Sequence, residues 1–259
     1  MSSQRSLGTA SMAGRILGTG RGTERYGLRL ARTTRDLHAA QELRFLVFNL
    51  ELNEGLERSF DTLRDADPFD AYCDHLLVED EQTGTVVGTY RMQTGRRAAA
   101  GIGYYSAQEF DLSPFEPDRA EVVELGRACV HREHRNLAVI SMLWRGVIAH
   151  ARNQGCRYLI GCGSLPTVDE AEGAAAFRSL AERHFAEPRH RTRPLPGWAC
   201  QMEGGTDRRA KIPALMRAYL SLGAKICGPP AVDRAFGTID FLTLLDLDAM
   251  DAGARRFLA

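Results

Sequence analysis

EVVELGRACVHREHRNLAVISMLWRGVIAHARNQGCRYLIG, residues 121–161, decides the fold. Glu121 to Val130 is a short apolar run with the character of a strand, and Asn136 to Asn153 carries Ile140, Leu143, Trp144, Val147 and Ala151 at helical spacing before a stop at Gly155. Cys156 to Gly161 follows at once as a second strand. Strand, helix and strand of these lengths make a crossover unit, which joins parallel neighbours in one sheet.

Outward from this unit the pattern changes. Upstream, Tyr26 to Arg32 alternates like a strand, and Thr34 opens a helical pattern running through Leu37, Leu43, Val47 and Leu50. After a polar stretch holding Asp65, Asp67, Pro68 and Asp70, the segments His75 to Glu79 and Thr85 to Met92 flank Gln82, Thr83 and Gly84 as an antiparallel hairpin does. Gln93 to Arg119 reads as a structured excursion. Downstream, helices fit Val168 to His184 and Ile212 to Leu222, a Pro/Arg loop covers Glu187 to Gly197, and Phe241 to Leu247 closes as a strand. The expected architecture is a mixed α/β sheet with a C-terminal helical insertion. Residues 1–24 are rich in Gly, Ser, Thr and Arg without an apolar period and predict a disordered tail, leaving 25–259 as a single domain.

Composition narrows the function classes. Lys+Arg and Asp+Glu both number 33, so no global field draws in a polyanion and no nucleic-acid role is expected. The six cysteines form no C-x-x-C pair and read as reduced thiols, and the histidines have no metal-ligand spacing, so no metal is expected. No run approaches the ~18 apolar residues of a membrane span. A cytoplasmic protein is expected, with peripheral contact at the inner membrane as an open alternative.

Glu124 and Arg127 carry the first chemical signal. Residues three apart on a regular strand point to opposite faces, so both serve one site only if an extra residue intervenes. Gly126 lies between them and predicts a bulge that turns Arg127 toward the face of Glu124 and splays the strand from its parallel neighbour. A splayed strand leaves a backbone N–H free to donate to a thioester carbonyl. A structural ion pair is the competing reading of the same two residues.

Arg44 and Phe48, Asp67 and Asp70, Arg91, then Glu124 and Arg127 occur in an order and spacing that resembles the acyl-homoserine-lactone synthases. Those synthases also keep a Trp shortly after the Phe, where this chain has Asn53 or Glu54. A closer likeness covers most of the chain from Ala39 onward: LRFLVF, YCDHLLVED, TGTVVGTYRM, YYSAQEFD, ELGRACV, LWRGV, YLIGCGSL, IPALMRAYLSLGA and FGTIDFLTLLDLD. These blocks resemble the ornithine-lipid N-acyltransferases, which join a 3-hydroxyacyl chain from acyl carrier protein to the α-amine of ornithine. The resemblance implies a GNAT-like fold, mostly antiparallel with one splayed parallel pair. It also implies no bound cofactor, the acyl-phosphopantetheine of acyl carrier protein serving as co-substrate.

On this reading Glu124 accepts the proton of the acceptor ammonium and Arg127 holds substrate in register. Arg44 and Phe48, one helical turn apart, form one pocket wall with Arg91, Asp67 and Asp70 hold a cationic acceptor, and Ser164 reaches a carbonyl or thiolate from a strand end. The turn from His131 to Ala138 contains no Gly to wrap a diphosphate, and its Arg132 and Arg135 suit a single phosphate. With Lys211 and Arg217 they are the expected docking residues for the carrier. An N-acyl amino acid or homoserine-lactone signal synthase is the alternative enzyme, and a non-catalytic acyl-carrier-binding module the alternative of another class.

Overall fold

Pairing begins with Tyr26–Leu30 (β1), which lies antiparallel to Asp74–Asp80 (β2) with Tyr26 opposite Asp80. The chain then returns into Thr85–Thr94 (β3) through a turn whose Gly84 has φ 70°, as the hairpin pattern requires. The structure, a computed structural model, describes residues 25–203 and 211–250, together with Gly253. The tail expected at 1–24 lies outside the described residues.

Between β1 and β2, Thr34–Phe45 (α1) starts on a capping box: the Thr33 hydroxyl accepts from Asp36 N–H, and Asp36 accepts from the Thr33 N–H. The helical pattern expected through Leu50 continues, but Leu46–Leu52 widens into a π-helix that ends at Asn53 with φ 56°. The amides of Glu54 and Gly55 both donate to Phe48 O, which folds the chain back beside Phe48.

The excursion after β3 holds a short helix, Gly95–Ala100 (α2), and three 3-10 turns before Val122–Val130 (β4). The crossover is present: β4, Leu137–Asn153 (α3), then Tyr158–Leu165 (β5) parallel to β4. Next come Glu170–His184 (α4) and Ala214–Ser221 (α5), then Lys225–Ile226 (β6), Ala231–Asp233 (β7) and Thr238–Asp246 (β8). The sheet order is β1-β2-β3-β4-β5-β8-β6, with β7 also paired to β8. Among the described residues every strand-to-strand pairing but β4–β5 is antiparallel, and Phe185 adds an isolated parallel bridge to Ile226. The C-terminal portion is therefore less helical than expected; β6 and β7 are too short to show a two-residue period.

Two cores sandwich the sheet. On one face α3 buries Val139, Leu143, Trp144 and Val147 against Leu28, Leu76, Tyr90 and Met92. The approach is tight at Gly146, where a Cβ would stand 2.6 Å from Leu76 Cδ2. On the other face the excursion lays Tyr104, Phe110 and Phe115 over Val122, Tyr158, Ile160 and Leu242. Among the described residues no helix is long and apolar enough to cross a membrane.

Candidate active site

Parallel pairing of β4 with β5 runs through Val122–Tyr158 and Val123–Leu159 and stops at Glu124–Ile160. Beyond it the strands part. On the other side of β4, Arg91 of β3 faces Gly126 while Thr89 faces Cys129, so two steps on β3 meet three on β4. This is the expected bulge, with one difference: the residue in the left-handed region is Arg127, at φ 52°, and not Gly126. A non-glycine residue there costs roughly 1–3 kcal/mol, and the side chain supplies the compensation. Arg127 pairs with Asp65 at 3.2 Å and Asp67 at 3.1 Å, and its guanidinium lies 4.8 Å from the Tyr105 ring centroid and 4.6 Å from that of Phe236.

A cavity of about 390 Å³ opens at the splay. Of the residues expected at the site, Phe48, Arg91, Glu124, Arg127 and Ser164 line it. Glu124 is buried, and its two carboxylate oxygens accept backbone N–H bonds from Tyr105 and Ser106, each at 2.7 Å. Burial nonetheless raises its carboxyl above the usual range, although those two bonds and Arg91 oppose the shift. No ion pair links Glu124 to Arg127 among the described residues, so the competing structural-pair reading falls.

Arg44, Asp67 and Asp70 depart from expectation. Arg44 is 1% exposed and does not line the cavity. It reaches Asp65 at 3.0 Å and Asp70 at 2.7 Å, beneath the wall that Phe48 forms. Arg91 reaches Asp67 at 2.7 Å and Asp70 at 3.0 Å. Three arginines thus meet three aspartates in one neutral buried network. Burial alone would push the carboxyls of Asp67 and Asp70 up, but the arginines outweigh it and hold both below the usual carboxylate range. Asp67 and Asp70 therefore already have cationic partners, and neither faces the cavity. They fix Arg91 and Arg127 in place.

The cavity wall also contains polar residues that motif spacing does not reveal. Gln93, opposite Glu124 in the β3–β4 register, is 1% exposed with both amide atoms unpartnered. Tyr90 and Tyr219 hydroxyls lie 2.6 Å apart in the wall, and burial keeps both protonated, with Tyr90 pushed up to about 12. Glu54 lines the cavity near Asp240, and burial raises its carboxyl too. Ser164 stands opposite Asp240 in the β5–β8 register, its hydroxyl directed to that carboxylate. Asp233 completes this end, and Glu109 lies behind it.

Two cysteines, Cys73 and Cys162, face the cavity, and all six in the chain are free. Burial raises every one of the six thiols, Cys73 to about 12. The expected carrier-docking residues Arg132, Arg135, Lys211 and Arg217 are exposed. Arg135 pairs with Glu51, next to the cavity residue Leu52, while Arg217 follows the cavity residues Leu215 and Met216, so each group adjoins a stretch of the cavity lining. Arg132 and Arg135 precede α3, whose N-terminus is capped by Asn136 accepting from Val139 N–H at 3.1 Å.

A sheet with one splayed parallel pair, crossed by α3 and opened into a cavity at the splay, defines an acyltransferase of the GNAT class. The family model described as "Acetyltransferase (GNAT) domain" matches residues 43–145. The chain is 34% identical over 245 residues to the L-ornithine N(alpha)-acyltransferase of Brucella abortus (strain 2308), spanning 87% of this chain and 85% of that protein, and it belongs to that family. Its fold is also that of FeeM, an N-acyl amino acid synthase from uncultured soil microbes, at TM-score 0.52 and 13% identity over 90% of this chain and 98% of the other. The AHL synthase LasI superposes with TM-score 0.50 and 12% identity over 88% and 93%.

Proposed function

We propose that this protein transfers an acyl chain, 3-hydroxylated in the form the resemblance implies, from acyl carrier protein to the α-amine of ornithine, giving lyso-ornithine lipid. Membership of the family supports the reaction, and the observation that carries the reading within the molecule is Glu124 at the point where β4 leaves β5. The β4 amides that face β5 beyond Glu124 meet no strand partner, and they are placed to donate to a thioester oxygen as it gains charge. The carboxylate of Glu124 uses one lone pair on each oxygen for the Tyr105 and Ser106 amides, leaving capacity toward the cavity. Directly or through a water it takes the proton that keeps the α-ammonium from attacking. The neutral amine adds to the thioester carbon, the C–S bond breaks, and the proton that the new amide nitrogen sheds is relayed through the Tyr90–Tyr219 hydroxyl pair to the leaving thiolate, so both hydroxyls end protonated as they began. Gln93 offers an amide to the acceptor's α-carboxylate.

The acyl chain is assigned to the apolar wall of the main cavity that Leu125 contributes, with Trp144 and Leu159 packed behind it. Arg132 meets the single phosphate of phosphopantetheine, and with Arg135, Lys211 and Arg217 it meets the acidic carrier. Incubation of the purified protein with 3-hydroxyacyl carrier protein and ornithine, read by mass spectrometry, tests the proposal. N-acylornithine is expected. Acylation of homoserine lactone or a neutral amino acid in preference to ornithine would move the protein to the signal-synthase class, and carrier binding without any product would leave only a binding module.

A further inference from the structure

The acceptor has two ammonium groups, and the Asp67–Asp70 network has no free charge for the second. The cavity does. Glu109, Asp233 and Asp240 are 1%, 3% and 5% exposed, and none forms an ion pair among the described residues. Atoms of Glu109, Cys162 and Asp240 lie within 4.8 Å of one another. Acids so close and so buried cannot all ionise without a counter-charge, and each raises the carboxyl of its neighbour. The guanidinium nearest to them, that of Arg127, is already held by Asp65 and Asp67.

A second observation points to a ligand. Asp240 Oδ1 is buried with no hydrogen-bond partner although its residue lines the cavity. An orphaned carboxylate oxygen costs several kcal/mol unless a cation or donor arrives. Its place in the sheet fits the span of the acceptor. Asp240 pairs with Ser164, four strand positions beyond Ile160, the partner of Glu124, or ~13 Å along β5, and its carboxylate comes within 4.8 Å of the Cys162 thiol, two positions nearer. Glu109 touches Cys162 from above, its Oε2 4.0 Å from the thiol sulfur. Two amines joined through four carbons reach about 6 Å when extended, and a hydrogen bond of roughly 3 Å at each end carries the span to about 12 Å between the accepting oxygens.

We infer that Asp240, backed by Glu109 and Asp233, is the subsite for the side-chain ammonium of the acceptor and sets the preference for a diamino acid. The inference rests on ornithine being the acceptor. With the α-amine beside Glu124, the distal ammonium reaches Asp240 Oδ1 and supplies the counter-charge that lets this acid cluster ionise. Glu54, whose carboxyl senses Asp240, closes the same end from the π-helix side.

Calorimetric titration of the full chain with ornithine, 2,4-diaminobutyrate and norvaline tests this without turnover. Wild type should bind ornithine at least about tenfold more tightly than norvaline, with the shorter diamine between them. Asp240→Asn and Glu109→Gln, checked for fold by circular dichroism, should bring that ratio below about threefold while norvaline affinity stays level. Wild type that fails to separate ornithine from norvaline overturns the inference with no variant needed. So do folded variants that keep the ratio or lose both ligands equally. Loss of ornithine binding on chelation, restored by zinc, would assign the Glu109–Cys162–Asp240 trio to a metal and also overturn it. Product analysis separates the two proposals: N-acylornithine and N-acylnorvaline formed at equal rates sink the subsite alone, whereas selective binding without acyl transfer sinks the reaction alone.

Discussion

At the residue scale, Glu124 joins two duties that a substitution will separate. Glu124→Gln should lower turnover by roughly 100-fold or more through loss of a positioned base. It also leaves one of the two amides of Tyr105 and Ser106 facing an NH₂, at about 1–3 kcal/mol in stability. A pH profile distinguishes base from mere support: wild-type kcat/KM should fall on the acid side as the raised carboxyl of Glu124 protonates, and that limb should disappear in the variant. Asp70 should behave in the opposite way, through stability. Its carboxyl and that of Asp67 are depressed in the fold, so their contribution is complete above the unfolded value of about 4 and is lost as pH falls through the folded values. Asp70→Asn, which leaves Arg44 buried and short of a partner, should cost about 3–5 kcal/mol in urea unfolding at neutral pH and flatten the acid dependence. Gly126 between strand residues three apart implies a bulge, but spacing alone leaves Glu124 and Arg127 as a structural ion pair; the resemblance of the surrounding motifs is what marks them as site residues. Spacing could not separate a ligand-binding Asp from one already paired, since Arg44, Asp65 and Asp70 meet only after α1 has packed on the sheet. Glu109, Gln93, Asp233 and Asp240 carry no local signature at all; strand register brings in the last three, and the turn after Tyr105–Gln108 brings in Glu109.

At the scale of the element, the crossover is readable because α3 shows a helical period from Ile140 to Ala151, about three turns, and β6 and β7 are not because two and three residues show no period. The functional feature is the divergence of β4 from β5, and Gly161 permits it to begin where it does. A Cβ there would lie 2.4 Å from the Leu125 carbonyl oxygen, a backbone atom that cannot swing aside. Gly161→Ala should therefore push the strands apart, destabilise by about 1–3 kcal/mol, and reduce kcat by more than it raises the KM for ornithine. Gly146→Ala is the control. It crowds the ends of the Leu76 and Leu28 side chains under α3, so it should cost comparable stability while kcat in the folded fraction stays near wild type. Thermal melts and steady-state rates on both variants check the contrast.

Across the whole molecule the zero net charge hides a division: a neutral Arg–Asp network inside, an acidic cavity end, and exposed arginines at the opening. Charge reversal at Arg132 and Arg217 should raise the KM for the acyl carrier at low salt and leave single-turnover chemistry nearly intact, with the difference fading as the Debye length shrinks to ~8 Å at physiological salt. A KM that is flat in salt for wild type and variant alike would put the carrier elsewhere. The free cysteines impose a further condition on the proposed thioester chemistry. Sulfur is the stronger nucleophile only as a thiolate, and burial holds all six thiols protonated, including the two that face the reacting centre. The fold thereby enforces chemoselectivity: an activated acyl group parked beside Cys73 and Cys162 finds the amine as its only competent acceptor. The enzyme is protected from acylating itself. Intact mass after prolonged exposure to acyl donor without acceptor should show an unmodified chain, and a stable single-acyl adduct on either cysteine would mean that transfer passes through sulfur.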